Sequence, residues 1–155
     1  MTGKLQNEIK KRKPFECIEQ EAALNLHRTF DALSSTEAET FRATGLSPTQ
    51  YNVLRILRGA GEALSCGDVA SRMITREPDM TRLLDRLEKR GLITRARQTV
   101  DRRVVKTEIT QQGLDLLAQL DEPVLQMHRK QLGHLGPTKL RQLIELLEEV
   151  RRATG

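Results

Sequence analysis

Apolar residues recur at every third or fourth position along most of this chain, which is the spacing of an amphipathic α-helix. The first run begins at Pro14 and continues to Leu33, where the polar residues 34–36 predict a break. A short second helix is expected to end at Gly45. Residues 1–13 lack the periodicity, and we expect them to form a flexible basic tail.

The most complete helix start lies near the middle of the chain. Ser47 can cap a helix whose first residue is Pro48, and Gln50 stands where it completes a capping box. This helix is expected to end near Gly61. A second capping box at Ser65 predicts that a shorter helix follows.

The next helix of this region has two contrasting faces. It is expected to begin at Thr75 or Glu77 and to end at Arg90, with Gly91 after it. One face is apolar and consists of Met80, Leu83, Leu84 and Leu87. The opposite face is polar and mostly basic, and it carries Arg82, Asp85, Arg86 and Lys89.

Two segments rich in β-branched residues follow at 92–97 and 104–109, and the polar stretch between them predicts a two-stranded hairpin. Thr110 and Gly136 then mark the starts of two further helices. The order of helix, short helix, amphipathic helix and charged hairpin predicts a winged helix-turn-helix. We therefore expect a mainly α fold with a small β-hairpin wing (α+β). The broad apolar stripes near both ends of the chain predict dimerisation helices there.

Charge indicates the chemistry of the partner. The 155 residues include 26 Lys and Arg against 21 Asp and Glu, a net charge of +5. Residues 71–106 alone hold eleven basic and five acidic side chains, so the positive charge is concentrated on the predicted winged region. A basic helix that fits the major groove, beside a basic hairpin, favours double-stranded DNA as the partner.

The polar helix face supplies the candidate DNA contacts. Arginine can read guanine O6 and N7 with two hydrogen bonds, so Arg76, Arg82 and Arg86 are candidate base readers. Lys89 lies further along the helix and is a candidate phosphate contact. Asp79 either accepts from cytosine N4 or stabilises the helix N-terminus through the helix dipole. The alternative is that this face is only solvated, and the adjacent charged hairpin argues against it.

Five segments, in consistent order and spacing, resemble the MarR family of bacterial transcriptional regulators. They are Leu46-Ser47-Pro48-Thr49-Gln50-Tyr51, Asp68-Val69-Ala70, residues 81–93, Asp101-Arg102-Arg103 and Ile109-Thr110. The resemblance implies a homodimer that binds a pseudo-palindromic operator, acting as a repressor that a small-molecule effector releases. It also adds Thr81 to the DNA contacts. One departure is Ile74, because the turn of such motifs usually carries glycine at that place.

The same resemblance implies a role for each residue of the wing motif. Asp101 would orient Arg103 for the minor groove through a charge-assisted hydrogen bond, so we expect Asp101→Asn to weaken binding. Arg102 would lie between them, on phosphate or in solvent. Because the family forms its effector crevice close to the first long helix, His27 is the candidate effector contact.

The chain is thus expected to have four parts. They are a basic tail at 1–13, an N-terminal helical dimerisation region at 14–45, a winged helix-turn-helix domain at 46–110 and C-terminal dimerisation helices at 111–155. The sequence has no long apolar run and no secretory signal, so we expect a cytoplasmic protein without a membrane partner.

Other functions have weaker support in the sequence. An enzyme is not expected, nor are a cofactor or a metal, because no histidine has a carboxylate or cysteine at ligand spacing and no phosphate loop is present. Cys17 and Cys66 could form a thiol switch in a redox-sensing regulator of the same fold, although Cys66 fits better as a small buried hydrophobe. A winged helix that binds protein is a further alternative, and the concentrated positive charge argues against it.

Overall fold

The computed structural model describes residues 3–155. Its elements in chain order are α1 (Leu5–Glu8), α2 (Ile18–Phe41), α3 (Pro48–Ala60), β1 (Leu64–Ser65), α4 (Cys66–Arg72), α5 (Met80–Lys89), β2 (Ile93–Arg97), β3 (Val105–Ile109), α6 (Gln111–Leu132) and α7 (Gly136–Thr154). Short 3-10 turns at Arg42–Thr44 and Gly133–Leu135 follow α2 and α6. Several helices with one small sheet confirm the predicted fold class.

The chain divides into two compact units, Met1–Glu37 and Ala38–Gly155. In the first unit, the predicted tail contains a helical turn, α1, on which Leu5 is buried. The Gly3 N–H also donates to Glu21 Oε1 at 2.9 Å. The expectation of a flexible tail is therefore wrong for α1, while the first two residues lie outside the described part of the chain.

The first long helix, α2, is continuous and starts later than predicted. It begins at Ile18, four residues after the expected start, and runs through residues 34–36, where the sequence predicted a break. Ser35 Oγ donates to the Asp31 carbonyl at 3.1 Å, so this hydroxyl is satisfied inside the helix. The following 3-10 turn ends at Gly45, whose φ of 68° is readily adopted by glycine.

The second unit contains one hydrophobic core, to which α3, α4, α5, β2 and α6 all contribute. Its fully buried side chains include Phe41, Val53, Leu54, Leu57, Val69, Leu84, Leu87, Leu92, Ile93 and Leu117. The capping box predicted for α3 is present, because Ser47 Oγ accepts from the Gln50 N–H at 3.2 Å and Gln50 Oε1 accepts from the Ser47 N–H at 3.0 Å.

The strands form a three-stranded antiparallel sheet in the order β1-β3-β2. The predicted hairpin consists of β2 and β3, with Arg95 opposite Thr107. The sequence did not predict β1, in which Leu64 pairs with Thr107 from the other side. A strand of two residues is too short to show an alternating pattern, so only its neighbour β3 defines it.

The start of α6 is fixed against the loop that follows α5. Thr110 Oγ1 donates to the Gly91 carbonyl at 2.7 Å and accepts from the Gly113 N–H at 3.1 Å. A Cβ at Gly113 would lie 2.5 Å from the carbonyl oxygen of Leu92, so glycine is required for this close approach. The predicted cap at Thr110 is therefore confirmed, and it holds α6 beside the sheet.

The last helix, α7, has no buried residue. Its apolar side chains at Ile144 and Val150 are 54% and 50% exposed. The apolar stripe that the sequence predicted for α7 is therefore left exposed among the described residues of a single chain.

Candidate nucleic-acid interface

The surface of α5 carries four of the predicted DNA contacts. The apolar face predicted for this helix, consisting of Met80, Leu83, Leu84 and Leu87, is buried. As a result, Thr81, Arg82, Arg86 and Lys89 are exposed on the other side. Arg82, Arg86 and Lys89 follow one another at steps of four and three residues, which places their positive charges in a single row along the helix.

The first residue of α5 is Met80, so the predicted start at Thr75 or Glu77 is wrong. Asp79 is the N-cap, and its Oδ1 accepts from the Arg82 N–H at 3.0 Å. A side-chain cap satisfies an amide that has no partner within the helix, which gives Asp79 a structural role at this end.

The loop before α5 holds the remaining residues of the predicted helix start. Arg76 is exposed in this loop rather than on the helix. Glu77 Oε1 accepts from the Asp79 N–H at 3.1 Å. At the other end of the loop, the Ile74 N–H donates to Asn52 Oδ1 at 2.8 Å, so a contact with α3 fixes the turn that lacks the usual glycine.

An ion-pair cluster that the sequence analysis missed joins the wing to α5. Nη2 of Arg95, on β2, donates to Asp85 Oδ1 and, at 3.0 Å, to Glu88 Oε1. The guanidinium lowers the pKa of Glu88 by hydrogen bonding, and the same bond raises the pKa of Arg95. The charge of Arg95 is thus matched by two carboxylates, and the count of basic residues overstated the free positive charge of this region.

Hydrogen bonds also order the loop at the tip of the wing, between β2 and β3. The Gln98 N–H donates to the Val104 carbonyl at 2.9 Å, and the Val104 N–H donates to the Asp101 carbonyl at 3.1 Å. Nη1 of Arg97 donates to the Arg102 carbonyl at 2.9 Å. The tip therefore has a defined turn in the free protein.

The contact between Asp101 and Arg103 differs from the one expected. Asp101 Oδ1 accepts from the backbone N–H of Arg103 at 2.9 Å. Among the ion pairs of residues 3–155 there is none between these two side chains. The carboxylate thus shapes the backbone of the turn, as aspartate does in turns generally, and the guanidinium of Arg103 is exposed, as is that of Arg102.

An open cleft of about 500 Å³ lies among α3, the end of α4 and α6. Tyr51, Arg55, Ile56, Arg72, Leu125 and His128 are among the residues that line it. The predicted effector contact, His27, lies on α2 in the first unit, where it is exposed. Nothing in the sequence indicated that His128 lines a cleft, because a histidine on an amphipathic helix has no local pattern that distinguishes a cleft from open solvent.

Asp121, on α6, is held at the edge of this cleft by arginines of α3. Nη1 and Nη2 of Arg58 donate to its two carboxylate oxygens at 3.0 and 2.7 Å. Nη1 of Arg55 lies 3.7 Å from Asp121 Oδ1, and it also donates to Tyr51 Oη at 3.2 Å. Hydrogen bonding from Arg58 lowers the pKa of Asp121. This two-bond contact fixes α3 beside α6.

The two cysteines lie in different environments. Cys17 is exposed, whereas Cys66 is half-buried and packs against the core, as expected for a small hydrophobe. Within residues 3–155 no cluster of three side chains suited to a metal ion is present. The same residues form no helix that is both long and apolar enough to span a bilayer.

A helix-turn-helix formed by α4 and α5, followed by the β2–β3 wing, defines a winged helix-turn-helix protein. The model of the MarR family matches residues 46–105. A MarR transcription factor from Planctomyces limnophilus, known from its crystal structure, is 46% identical, with a TM-score of 0.68 and coverage of 86% of this chain and 98% of that one. The chain therefore belongs to the MarR family of transcriptional regulators.

One further relative supports this assignment, and another protein shares the fold. The transcriptional repressor MdtR of Bacillus subtilis is 33% identical over 90 residues, which cover 58% of this chain and 57% of the repressor. BpsR of Bordetella bronchiseptica, whose DNA binding is regulated by 6-hydroxynicotinic acid, is 24% identical and shares the fold, with a TM-score of 0.75 over 84% of this chain and 98% of BpsR.

Proposed function

We propose that this chain is a homodimeric repressor that binds a pseudo-palindromic operator and leaves it when a small molecule binds. The observation that carries the proposal is the row of exposed cations on α5 beside an ordered basic wing. A helix of this kind fits the major groove, and the wing reaches a neighbouring groove. A regulator with this role acts on the bacterial chromosome, so the proposal includes a cytoplasmic location and no catalytic role.

Each exposed residue of α5 has a proposed contact. Arg82 and Arg86 read bases, since they point away from the core within the first two turns of the helix. Thr81 contacts a base or a phosphate near the helix N-terminus. Lys89, in the last turn, contacts phosphate. Asp79 supports these contacts as the N-cap that sets where the helix begins.

The loop and the wing extend this contact surface. Arg76 is exposed in the loop before α5 and does not lie on the helix, so its proposed role is a phosphate contact and not the reading of a base. Arg103 enters the minor groove and Arg102 contacts the backbone, while Asp101 holds the turn that carries both.

The dimer follows from the uncovered apolar side chains of α7. Half-exposed Ile144 and Val150 lie on the same helix, and apolar stripes of this kind are typically covered by a partner. A second chain that covers this stripe produces the two-fold symmetry that a pseudo-palindromic operator requires.

The effector is proposed to bind in the cleft that contains His128. The cleft combines cationic side chains with the apolar side chains of Ile56 and Leu125, which suits a small amphipathic molecule. Ile74, in the turn before α5, also lines this cleft, so a bound molecule would contact the segment that positions α5. The regulation of BpsR by a small aromatic acid supports this part of the proposal.

Selection of duplex DNA from a random library by the full-length protein tests the DNA-binding part. We expect an enriched inverted repeat, whose binding is then compared between wild type, Arg82→Ala and Arg86→Ala. Loss of a base contact costs roughly 1–3 kcal/mol, while loss of a phosphate contact also weakens random DNA and reduces the salt dependence.

Arg129→Ala is the matched control, because Arg129 is an exposed arginine on α6 outside the proposed surface. This substitution lowers the net charge of the chain by the same amount as Arg82→Ala or Arg86→Ala. Enrichment of no sequence, or an equal loss of affinity in the control, would contradict the proposal.

A further inference from the structure

The cluster of Arg95, Asp85 and Glu88 joins two elements that are proposed to enter different grooves. Arg95 lies on the first strand of the wing, and the two carboxylates lie on α5. The Arg95 side chain is only 22% exposed, while those of Asp85 and Glu88 are 45% and 40% exposed. The arginine is therefore enclosed between the wing and α5, and the acids border the surface that carries the cations.

Glu88 holds Arg95 at two separate points. Its Oε1 accepts from the guanidinium and its Oε2 accepts from the backbone N–H of Arg95, both at 3.0 Å. A single contact would allow β2 to rotate about it, whereas two contacts on one residue fix both position and direction. Asp85, one helical turn before Glu88, provides a third point on the same helix.

Because Arg95 is paired within the sheet, the contacts that fix it also restrict the tip of the wing. Arg95 pairs with Thr107 of β3, and Thr107 is 1% exposed at the centre of the sheet. Two residues further along β2, Arg97 donates to the Arg102 carbonyl in the turn. The turn is thus connected to α5 through Arg95 and the two ladder strands.

Exposed ion pairs contribute little to stability, so a cluster that borders the surface is better explained by alignment than by the free energy of folding. We propose that Arg95 is a positioning residue that, through Asp85 and Glu88, fixes the angle between α5 and the wing, so that both reach their grooves together. The inference rests on the proposed DNA-binding function and assigns no direct DNA contact to Arg95.

The double variant Asp85→Asn/Glu88→Gln separates positioning from simple electrostatics, because the two accounts predict opposite signs. It removes two negative charges per chain beside the DNA-binding surface, so Coulomb attraction alone predicts tighter binding to every duplex. It also disrupts the cluster, because glutamine has one oxygen for the two bonds that Glu88 accepts from Arg95, and neither amide has the charge that holds the guanidinium. If the cluster positions the wing, binding to random duplex tightens, but binding to the selected operator weakens. We expect the ratio of operator to random affinity to fall at least about fivefold, the lower limit for losing one base contact.

The measurement is a fluorescence anisotropy titration at fixed salt, with the operator selected by the wild-type protein and a random duplex of equal length. Asp115→Asn/Glu122→Gln is the control, because it removes two exposed carboxylates from α6 without altering the cluster. It should leave the affinity ratio unchanged. Arg95→Lys should recover part of the ratio that Arg95→Ala loses, since an ammonium group can bond either carboxylate but cannot reproduce the planar fork.

Hydrogen exchange of the free protein gives a readout that needs no DNA. Amides of Ile93–Arg97 should exchange faster in Arg95→Ala and in the Asp85/Glu88 double variant, while amides of α3 keep wild-type rates and confirm that the core is folded. Unchanged exchange in β2, or an unchanged affinity ratio in a folded double variant, would overturn the proposal. If the wild-type protein enriches no operator, the proposed function fails instead, and hydrogen exchange alone then decides whether the cluster anchors the wing.

Discussion

Replacing Asp101 with asparagine and with alanine separates the charge of the wing-tip carboxylate from its hydrogen bond. Oδ1 of Asp101 accepts from the Arg103 N–H at 2.9 Å, and this bond closes the turn that carries Arg102 and Arg103. Asparagine keeps an oxygen acceptor at the same place, whereas alanine has none. Both substitutions remove one negative charge from a surface that is proposed to approach phosphate.

The two effects have estimable sizes. Two unit charges 4 Å apart in water interact by about 1 kcal/mol, so a phosphate roughly 8 Å from Asp101 would be repelled by about 0.5 kcal/mol before screening. An exposed hydrogen bond in a turn contributes about 1 kcal/mol. Without it the turn is less ordered in the free protein, and about this much binding free energy is lost because DNA binding must then order the turn. We therefore expect Asp101→Asn to tighten binding about twofold per wing and Asp101→Ala to weaken it about twofold.

The assay is a titration of the selected operator by anisotropy for wild type and both variants at one salt concentration. The asparagine and alanine variants should differ by about fivefold per wing, and cooperative thermal unfolding of both would show that the core, to which the tip does not contribute, is intact. Equal affinities would show that the hydrogen bond has no effect on binding. Weaker binding by Asp101→Asn would show that the carboxylate acts on the guanidinium of Arg103 after all.

Three other predictions concern the rest of the chain. Ile144→Glu should convert a dimer of two 17.6 kDa chains to folded monomers in sedimentation, because it places a charge on the apolar stripe of α7. Asp79→Ala should lower the free energy of unfolding by about 1 kcal/mol in urea, since it removes the N-cap of α5, and Asp79→Ser should lose much less. Asp121→Asn should destabilise by at most about 1 kcal/mol at neutral pH, because Asp121 and Arg58 are partly exposed. The pKa of Asp121 is lowered on folding, so its stabilising effect is present at neutral pH and is lost as pH falls through that lowered pKa.

Each of these predictions has a control or a contradicting result. Gln142→Glu adds the same charge to α7 at an exposed polar position and should leave the dimer intact. An Asp79→Ser variant as unstable as Asp79→Ala would show that the cap does not act through its side-chain oxygen. For Asp121→Asn, a difference in melting temperature from wild type that persists in strong acid would exclude ionisation as its origin.

The features that were predicted correctly depend on residues that are close together in the sequence. The capping box of Ser47 and Gln50, the cap at Thr110 and the buried stripe of α5 each require only the spacing of a helix. The hairpin could be predicted for the same reason, since alternation and a polar turn are local signals. The predicted start of α5 is wrong because neither of the roles expected for Asp79, a cytosine contact or a charge near the helix dipole, defines a helix boundary, whereas the hydrogen bond that it accepts from the Arg82 N–H does.

Other properties depend on contacts between elements that are distant in the sequence. Two residues form β1 because β3 lies beside them, and Arg95 is enclosed because the wing folds back onto α5. Asp101 bonds a backbone amide rather than a guanidinium, which reverses the expected sign of Asp101→Asn. In the second unit, His128 lines a cleft because α3 and α6 lie side by side. Local patterns in the sequence were enough to predict the main helices, the basic face of α5 and the wing that follows it, because periodicity and capping act over a few residues, but they misplaced the bounds of α2 and α5. The chain's fold decided which of those charges stay free and what holds the wing, because a hydrogen bond between residues on different elements depends on a distance that spacing along the chain does not specify.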